Sequence, residues 1–400
     1  MGATVPDDLL ARVQRRLAAD RVEPRPAALA RAVREESAGP IPDAEMLRLI
    51  RALQTELVGA GPLAPLLEDP QTTDVVVNGP ADVRVDRGDG WERVTSTFAD
   101  EQAVQRLARR LAAAAGQRLD DAHPYVDGRL PDGTRLHAVL SPVSASGTCL
   151  SLRVLRPVAH DLDALSALGT LPGVCRAVLD AMIAARLAFL VSGGTGSGKT
   201  TLLSALLSAT PAQERIVVVE DAEELRPVHP HLVRLVARSP NVEGAGGVPL
   251  RDLVRQALRM RPDRIVVGEV RGAEVVDLLS ALTTGHDGGA GTVHANSAHD
   301  VPSRLEALAA LGGWDRAAMH AQLAAAVQVV VHLRRSGSSR TLSEMAVLRA
   351  RAIDSIDGSG SPAMVPAVEA VPAVVDGRPV GPGAALLGRL LMDRGVRPPW

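Results

Sequence analysis

Residues 193–200, Gly193-Gly194-Thr195-Gly196-Ser197-Gly198-Lys199-Thr200, satisfy G-x-x-x-x-G-K-[ST] at every specified position. The chemistry of that spacing is phosphate binding. Glycines let backbone N–H groups curl around phosphate oxygens, and the N-terminus of a following helix adds a favourable partial charge. In such a cradle Lys199 reaches the β- and γ-phosphates of ATP and the Thr200 hydroxyl ligates Mg²⁺, with Thr201 beside them. Of 44 basic residues, 43 are arginine, and Lys199 is the one lysine of the chain. Coding bias accounts for the arginines. The exception falls where a compact, three-donor ammonium fits a backbone cradle that a planar guanidinium would not.

Three further groups could act on a bound phosphate. Glu269 ends the apolar run Arg264-Ile-Val-Val-Gly268-Glu269, so it would stand at a strand's carboxyl end, holding the Mg²⁺ shell or polarising water. Glu220 opens Glu220-Asp221-Ala222-Glu223-Glu224 directly after RIVVV and could orient an attacking water. Asp221 and Glu224 read as structural or indirect. Thr284-Gly285-His286-Asp287-Gly288-Gly289 and Thr292-Val293-His294-Ala295-Asn296 place His286 and His294 around a Gly-rich turn. A zinc site needs more clustered N/S ligands than this. A sensor that hydrogen-bonds the γ-phosphate suits the pair better, and either histidine could instead be a satisfied core residue.

The elements that must position these groups follow from periodicity. Residues 1–58 carry apolar positions at i, i+3, i+4 and read as a helical N-terminal extension. Residues 59–156 read as an α+β domain of short strands with one amphipathic helix at about 100–115. A connector at 157–172 leads into 173–350, where β-branched runs alternate with helices, the rhythm of a parallel sheet covered on both faces. Residues 351–400, rich in Pro, Gly, Ala and Val, read as a mobile tail with one short helix near 384–393.

Composition narrows the function. Hydrophobic residues at 46% and charged residues at 22% support sizeable cores and argue against wholesale disorder. The net charge of −2 and only six aromatics disfavour nucleic acid as the thing held. Cys149 and Cys175 form no CxxC and read as reduced thiols. The start has no signal-peptide pattern, and no apolar run approaches the ~20 residues that span a bilayer. A cytoplasmic protein with no direct membrane span is expected.

The order GGTGSGKT, VVVEDAEEL, ALRMRPDRIVVGEVRG and TGHDGG…TVHANS resembles the type II/IV secretion ATPase superfamily of RecA-core motors. The four runs correspond to its Walker A, Asp box, Walker B and His box. VNGP (77–80), DGRLPDGTRLHAV (127–139) and SLRVL (151–155) are similar to the family's N-terminal domain. The resemblance implies an α/β fold: a RecA-like P-loop NTPase domain behind a smaller α+β domain and the helical extension. It implies ATP and Mg²⁺ at Lys199, Thr200 and Glu269, with Glu220 as the Asp-box acid and His286 and His294 in the His box. Arg135 and Arg153 match arginines that reach the nucleotide from the N-terminal domain, and Arg234 and Arg238 are weaker candidates of that kind. The best fit is the CpaF/TadA, tight-adherence pilus branch, since the paired CxxC of many type II members is missing. A homo-hexamer docked on an inner-membrane platform protein is implied. A nucleic-acid-translocating RecA-like motor is the alternative.

Overall fold

The structure is a computed structural model. It describes residues 7–400 except 21, 23, 38, 58, 89, 96–97, 155–160, 239, 241–244, 286, 338 and 357–361. The chain divides into two compact units, Met1–Arg156 and Pro157–Trp400.

The first unit opens with three helices, α1 (Asp7–Asp20), α2 (Pro26–Glu36) and α3 (Asp43–Leu57). Their helical spacing puts Leu9, Val13 and Leu17 on one stripe, which packs with Leu29, Val33, Met46, Ile50 and Leu53. After the short α4 (Ala64–Glu68) come β1 (Asp74–Asn78), β2 (Val83–Asp86), β3 (Trp91–Val94), α5 (Glu101–Ala114), β4 (Tyr125–Arg129), β5 (Arg135–Val139) and β6 (Cys149–Arg153). The strands form one antiparallel sheet in the order β3-β2-β1-β6-β5-β4. Strand alternation turns Val75, Val77, Leu136, Ala138, Leu150 and Leu152 inward against Val104, Leu107 and Leu111 of α5. The Asp100 carboxylate caps α5 by accepting the Ala103 N–H at 2.8 Å. The opposite face of the sheet carries the polar residues of the same strands.

The second unit begins with α6 (Leu162–Ala167), α7 (Cys175–Ala184), β7 (Phe189–Gly193), α8 (Lys199–Ser208), β8 (Ile216–Glu220) and β9 (Leu232–Val236). There follow α9 (Leu250–Ala257), β10 (Arg264–Val270), α10 (Glu274–Leu282), β11 (Ala290–Val293), α11 (Val301–Leu311), α12 (Arg316–Ala326) and β12 (Val329–Ser336). The chain ends in β13 (Ser339–Ile356), β14 (Pro362–Val375), β15 (Arg378–Pro379) and α13 (Gly381–Asp393). One sheet holds all nine strands in the order β15-β14-β13-β12-β7-β11-β10-β8-β9. From β12 to β9 every pairing is parallel, and β13, β14 and β15 add on antiparallel. Each face has its own core. Phe189, Val191, Ile216 and Val218 point to α7, α8 and α13, while Leu190, Val217 and Val219 point to α9, α10 and α12. This doubly covered parallel sheet is the α/β, RecA-like arrangement.

The segment after residue 350 corrects the expectation of a mobile tail. Strand β13 runs on to Ile356, and β14 pairs with it from Glu344↔Val375 to Ile356↔Pro362. Ala373, Val374, Leu387 and Leu391 are fully buried. Proline-rich composition concealed a strand because β14 has a partner on its outer side only at Val374 and Val375. A strand with one largely unpaired edge tolerates residues that lack an N–H.

Candidate nucleotide-binding site

Parallel strands bring their carboxyl ends to one edge of the sheet, and the connections leaving that edge build the site. Gly193 ends β7, Glu220 ends β8, Glu269 lies one residue from the end of β10, and His294 follows β11. Every residue of β7 is buried, which fixes the root of the phosphate loop.

The loop's shape depends on glycine at three points. Gly193, Gly196 and Gly198 have φ of 150°, 70° and 94°, a region that side chains disfavour. Ser197 Oγ donates to Gly194 O at 2.9 Å and closes the loop on itself. Gly198 precedes α8 and supplies no side-chain cap, so the first N–H groups of the helix are open to an anion. Lys199, 8% exposed, folds back beneath the loop, where Nζ donates to Gly193 O at 3.0 Å and Gly194 O at 2.9 Å. Burial lowers its pKa; the carboxylates of Glu269 and Glu224 oppose that shift. Thr200 and Thr201 are half-buried on the first turn of α8.

His294 joins the loop to the acid. Its Nδ1 lies 3.5 Å from Lys199 Nζ and its Nε2 lies 2.8 Å from Glu269 Oε1. The two neighbours dictate one tautomer: Nδ1 accepts from the ammonium and Nε2–H donates to the carboxylate. Burial, then Lys199, hold its pKa below the ordinary value against the pull of Glu269, so the ring is neutral at pH 7. Lysine, neutral histidine and glutamate therefore form one chain at the mouth of the loop. Thr292 Oγ1 donates to Gly268 O at 2.7 Å and ties β11 to β10 just below it. A buried polar pair lies one strand away: Ser192 Oγ and His332 Nδ1 are 2.9 Å apart, linking β7 to β12.

Glu220 is placed differently from its neighbours. It is 3% exposed, and Oε1 accepts the N–H groups of Glu224 at 3.0 Å and Leu225 at 2.8 Å. Its Oε2 is buried with no hydrogen-bond partner. Burial pushes its carboxyl up to about 7. The side chain packs over Gly268, where a Cβ would lie 2.7 Å from Glu220 Cγ. Asp221 pairs with Arg271 Nη2 at 2.6 Å, and Glu223 with Arg226 and, at 3.9 Å, Arg234. Glu224 is the acid of this run whose charge reaches Lys199.

His286 lies outside the described residues. Arg238 Nε donates to Gly246 O at 2.7 Å. Arg135 and Arg153 belong to the first unit, on the polar face of its sheet. There Asp74, Arg153, Arg135 and Arg129 form a row of direct cross-strand neighbours. Arg153 Nε donates to Asp74 Oδ1 at 2.9 Å, and Arg135 Nη2 lies 3.9 Å from Asp127 Oδ2. With His137 and Ser151 they line a cavity of about 290 Å³. Adjacent guanidinium groups repel, and an anion laid across them would relieve the repulsion.

No cluster of three His, Cys, Asp or Glu residues among the described residues could hold a metal by itself. The donors at this edge, a threonine hydroxyl and a carboxylate, suit Mg²⁺ shared with nucleotide phosphates. No helix among the described residues is long and apolar enough to cross a membrane.

A parallel sheet with a lysine-bearing phosphate loop and an acid on a neighbouring strand defines a P-loop nucleotide-binding protein. Residues 56–361 match the family described as "Type II/IV secretion system protein", and the chain belongs to that family. It is 63% identical over 314 residues to a Mycobacterium tuberculosis protein whose description assigns it provisionally to conjugal transfer, covering 77% of this chain and 89% of that one. It is 31% identical over 302 residues to the conjugal transfer protein TrbB of Rhizobium radiobacter, covering 74% and 90%. Among solved structures, the Yersinia pseudotuberculosis ATPase DotB shares the fold, with a TM-score of 0.50 at 17% identity over 80% of this chain and 82% of that one.

Proposed function

We propose that this chain is the ATP-hydrolysing motor of a pilus or type II/IV secretion machine, of the CpaF/TadA kind. It works in the cytoplasm as a homo-hexamer on an inner-membrane platform protein. The observation that carries the ATPase is the Lys199–His294–Glu269 chain at the mouth of the phosphate loop. The family and the conjugal-transfer descriptions of its relatives support the secretion role.

Residues 193–198 and the first turn of α8 bind the phosphates through N–H groups, with Lys199 on the β- and γ-phosphates and Thr201 behind them. Thr200 and Glu269 would hold Mg²⁺, which supplies charge neutralisation between the phosphates. Binding ATP draws Lys199 Nζ from the carbonyls of Gly193 and Gly194 to the phosphate oxygens. His294 then loses its contact to the ammonium and is left on Glu269, so it reports whether a γ-phosphate is present. His286 is assigned to the same sensing role on its motif alone. Glu220 is the Asp-box acid and holds the turn that carries Glu224, and Glu224, whose charge acts on Lys199, is the acid assigned to orient the attacking water. Arg135 and Arg153, on the polar face of the first unit's sheet, are candidates for meeting a phosphoryl group's negative charge.

Lys199→Ala and Glu269→Gln are each expected to lower kcat at least a hundredfold in a steady-state phosphate-release assay. Wild-type hydrolysis in either variant would refute the ATPase. Stimulation many-fold by single-stranded DNA, falling steeply with salt, would favour a nucleic-acid motor instead.

A further inference from the structure

Three glycines of the phosphate loop face two paired strands, β12 and β13. A Cβ on Gly193 would lie 2.5 Å from Leu333 O, one on Gly196 2.8 Å from Arg335 Nη1, and one on Gly198 3.3 Å from Arg340 Cδ. Leu333 and Arg335 are on β12, and Arg340 is on β13. In the antiparallel register Arg335 is opposite Arg340 and Ser336 opposite Ser339. Because β12 also runs parallel to β7, with Leu333 opposite Gly193, the paired end of β12 and β13 lies along the loop. From that end Arg340 Nε donates to Gly196 O at 2.9 Å.

We propose that Arg340 is a positioning residue for nucleotide binding, holding the phosphate loop in its receptive shape from outside. This rests on the reading of the loop as an ATP site. The peptide following Gly196 is planar and trans, so fixing its carbonyl on Arg340 fixes the Ser197 N–H in the opposite direction. That N–H points into the loop, where its contact is a long one of 3.4 Å to Gly194 O. A phosphate oxygen would be a better acceptor. A loop with four glycines in six residues has much backbone freedom to lose on binding. An anchor outside the loop removes part of that loss beforehand, which raises affinity without touching the reacting atoms. Arg340 also lines a cavity of about 210 Å³ together with Ser197, Gly198, Thr201, Leu202 and Thr170. The guanidinium thus meets the loop on the side where the first turn of α8 begins.

The test uses the full chain as wild type, Arg340→Ala and Arg340→Lys. Calorimetry gives Kd for ATP and for ADP, phosphate release gives KM and kcat, and thermal unfolding without nucleotide gives stability. Arg340→Ala should raise Kd for ATP and ADP alike, and KM with them, by about tenfold, the size of a lost charge-assisted bond. Its kcat should stay within about twofold and its unfolding midpoint should hardly move. Arg340→Lys should recover part of the affinity. Unchanged Kd and KM in Arg340→Ala, or a fall in kcat alone, overturns the proposal. If the alanine variant does not fold, Arg340→Gln takes its place under the same criteria. Wild-type protein that binds neither nucleotide overturns the ATP-site reading, and this proposal with it.

Discussion

Glu220 is turned into the protein at the end of its strand. A strand-terminal acid beside a phosphate loop invites a part in the chemistry, yet Glu220 spends one oxygen on two backbone N–H groups and buries the other without a partner. Glutamine preserves the acceptor, so Glu220→Gln should keep more than half of the ATPase activity, while Glu220→Ala frees the 221–225 turn and should lose most of it. Steady-state kinetics of the two variants decide. The same carboxyl gives a pH signature. Its folded pKa is raised from 4.5 to about 7, so the native state holds the proton more tightly than the unfolded chain. The stability this confers is full below pH 4.5 and is lost as pH rises through about 7. Relative to wild type, Glu220→Gln should gain stability across that window, by up to about 3 kcal/mol, in denaturant titrations at pH 5 and pH 8. Lys199, Glu269 and His294 were legible because their spacing is tied to phosphate chemistry. The inward turn of Glu220 was not, since it depends on Gly268 leaving space on the neighbouring strand.

Among the elements, the least visible in sequence were those whose composition imitates a loop. PAMVPAVEAVPAVV reads as a linker, and only the pairing with β13 and the cover of α13 make it a strand. Gly383 marks the closest approach of α13 to β14: a Cβ there would lie 2.0 Å from Pro372 O. Gly383→Ala should therefore cost about 1–3 kcal/mol through overpacking, and Leu391→Ala about 2–5 kcal/mol through a cavity, both read by chemical denaturation. At the other end of β10, Arg264 is fully buried. It bonds Glu214 Oε2 at 2.6 Å, Gly288 O at 3.2 Å and Ile183 O at 2.9 Å. The end of α7 and the two loops carrying Glu214 and Gly288 meet there, at the sheet edge away from the phosphate loop. Arg264→Ala should destabilise the second unit by about 3–5 kcal/mol, because the buried carbonyls of Gly288 and Ile183 would lose their donor and Glu214 would keep only Arg186, at 3.5 Å. Sequence showed an arginine opening an apolar run and nothing of the partners, which lie 81, 50 and 24 residues away in the chain.

On the scale of the molecule, two separately packed units share a surface charge that is almost neutral and carried on its positive side by guanidinium groups. The alternation of strands and helices made the parallel sheet of the second unit readable. The strands Trp91–Val94 and Tyr125–Arg129 of the first were not, being short and half polar. The single side-chain amine is buried, held by two carbonyl oxygens, and lowered in pKa by that burial. Amine-directed reagents should therefore acylate one internal position, slowly, and ATP should block the reaction; peptide mass mapping with and without nucleotide checks this. Any cellular enzyme that writes acyl groups or protein tags on lysine has no exposed side-chain target here. The single lysine amine of the chain is the one the phosphate loop already holds, so nucleotide and acylation would compete for it.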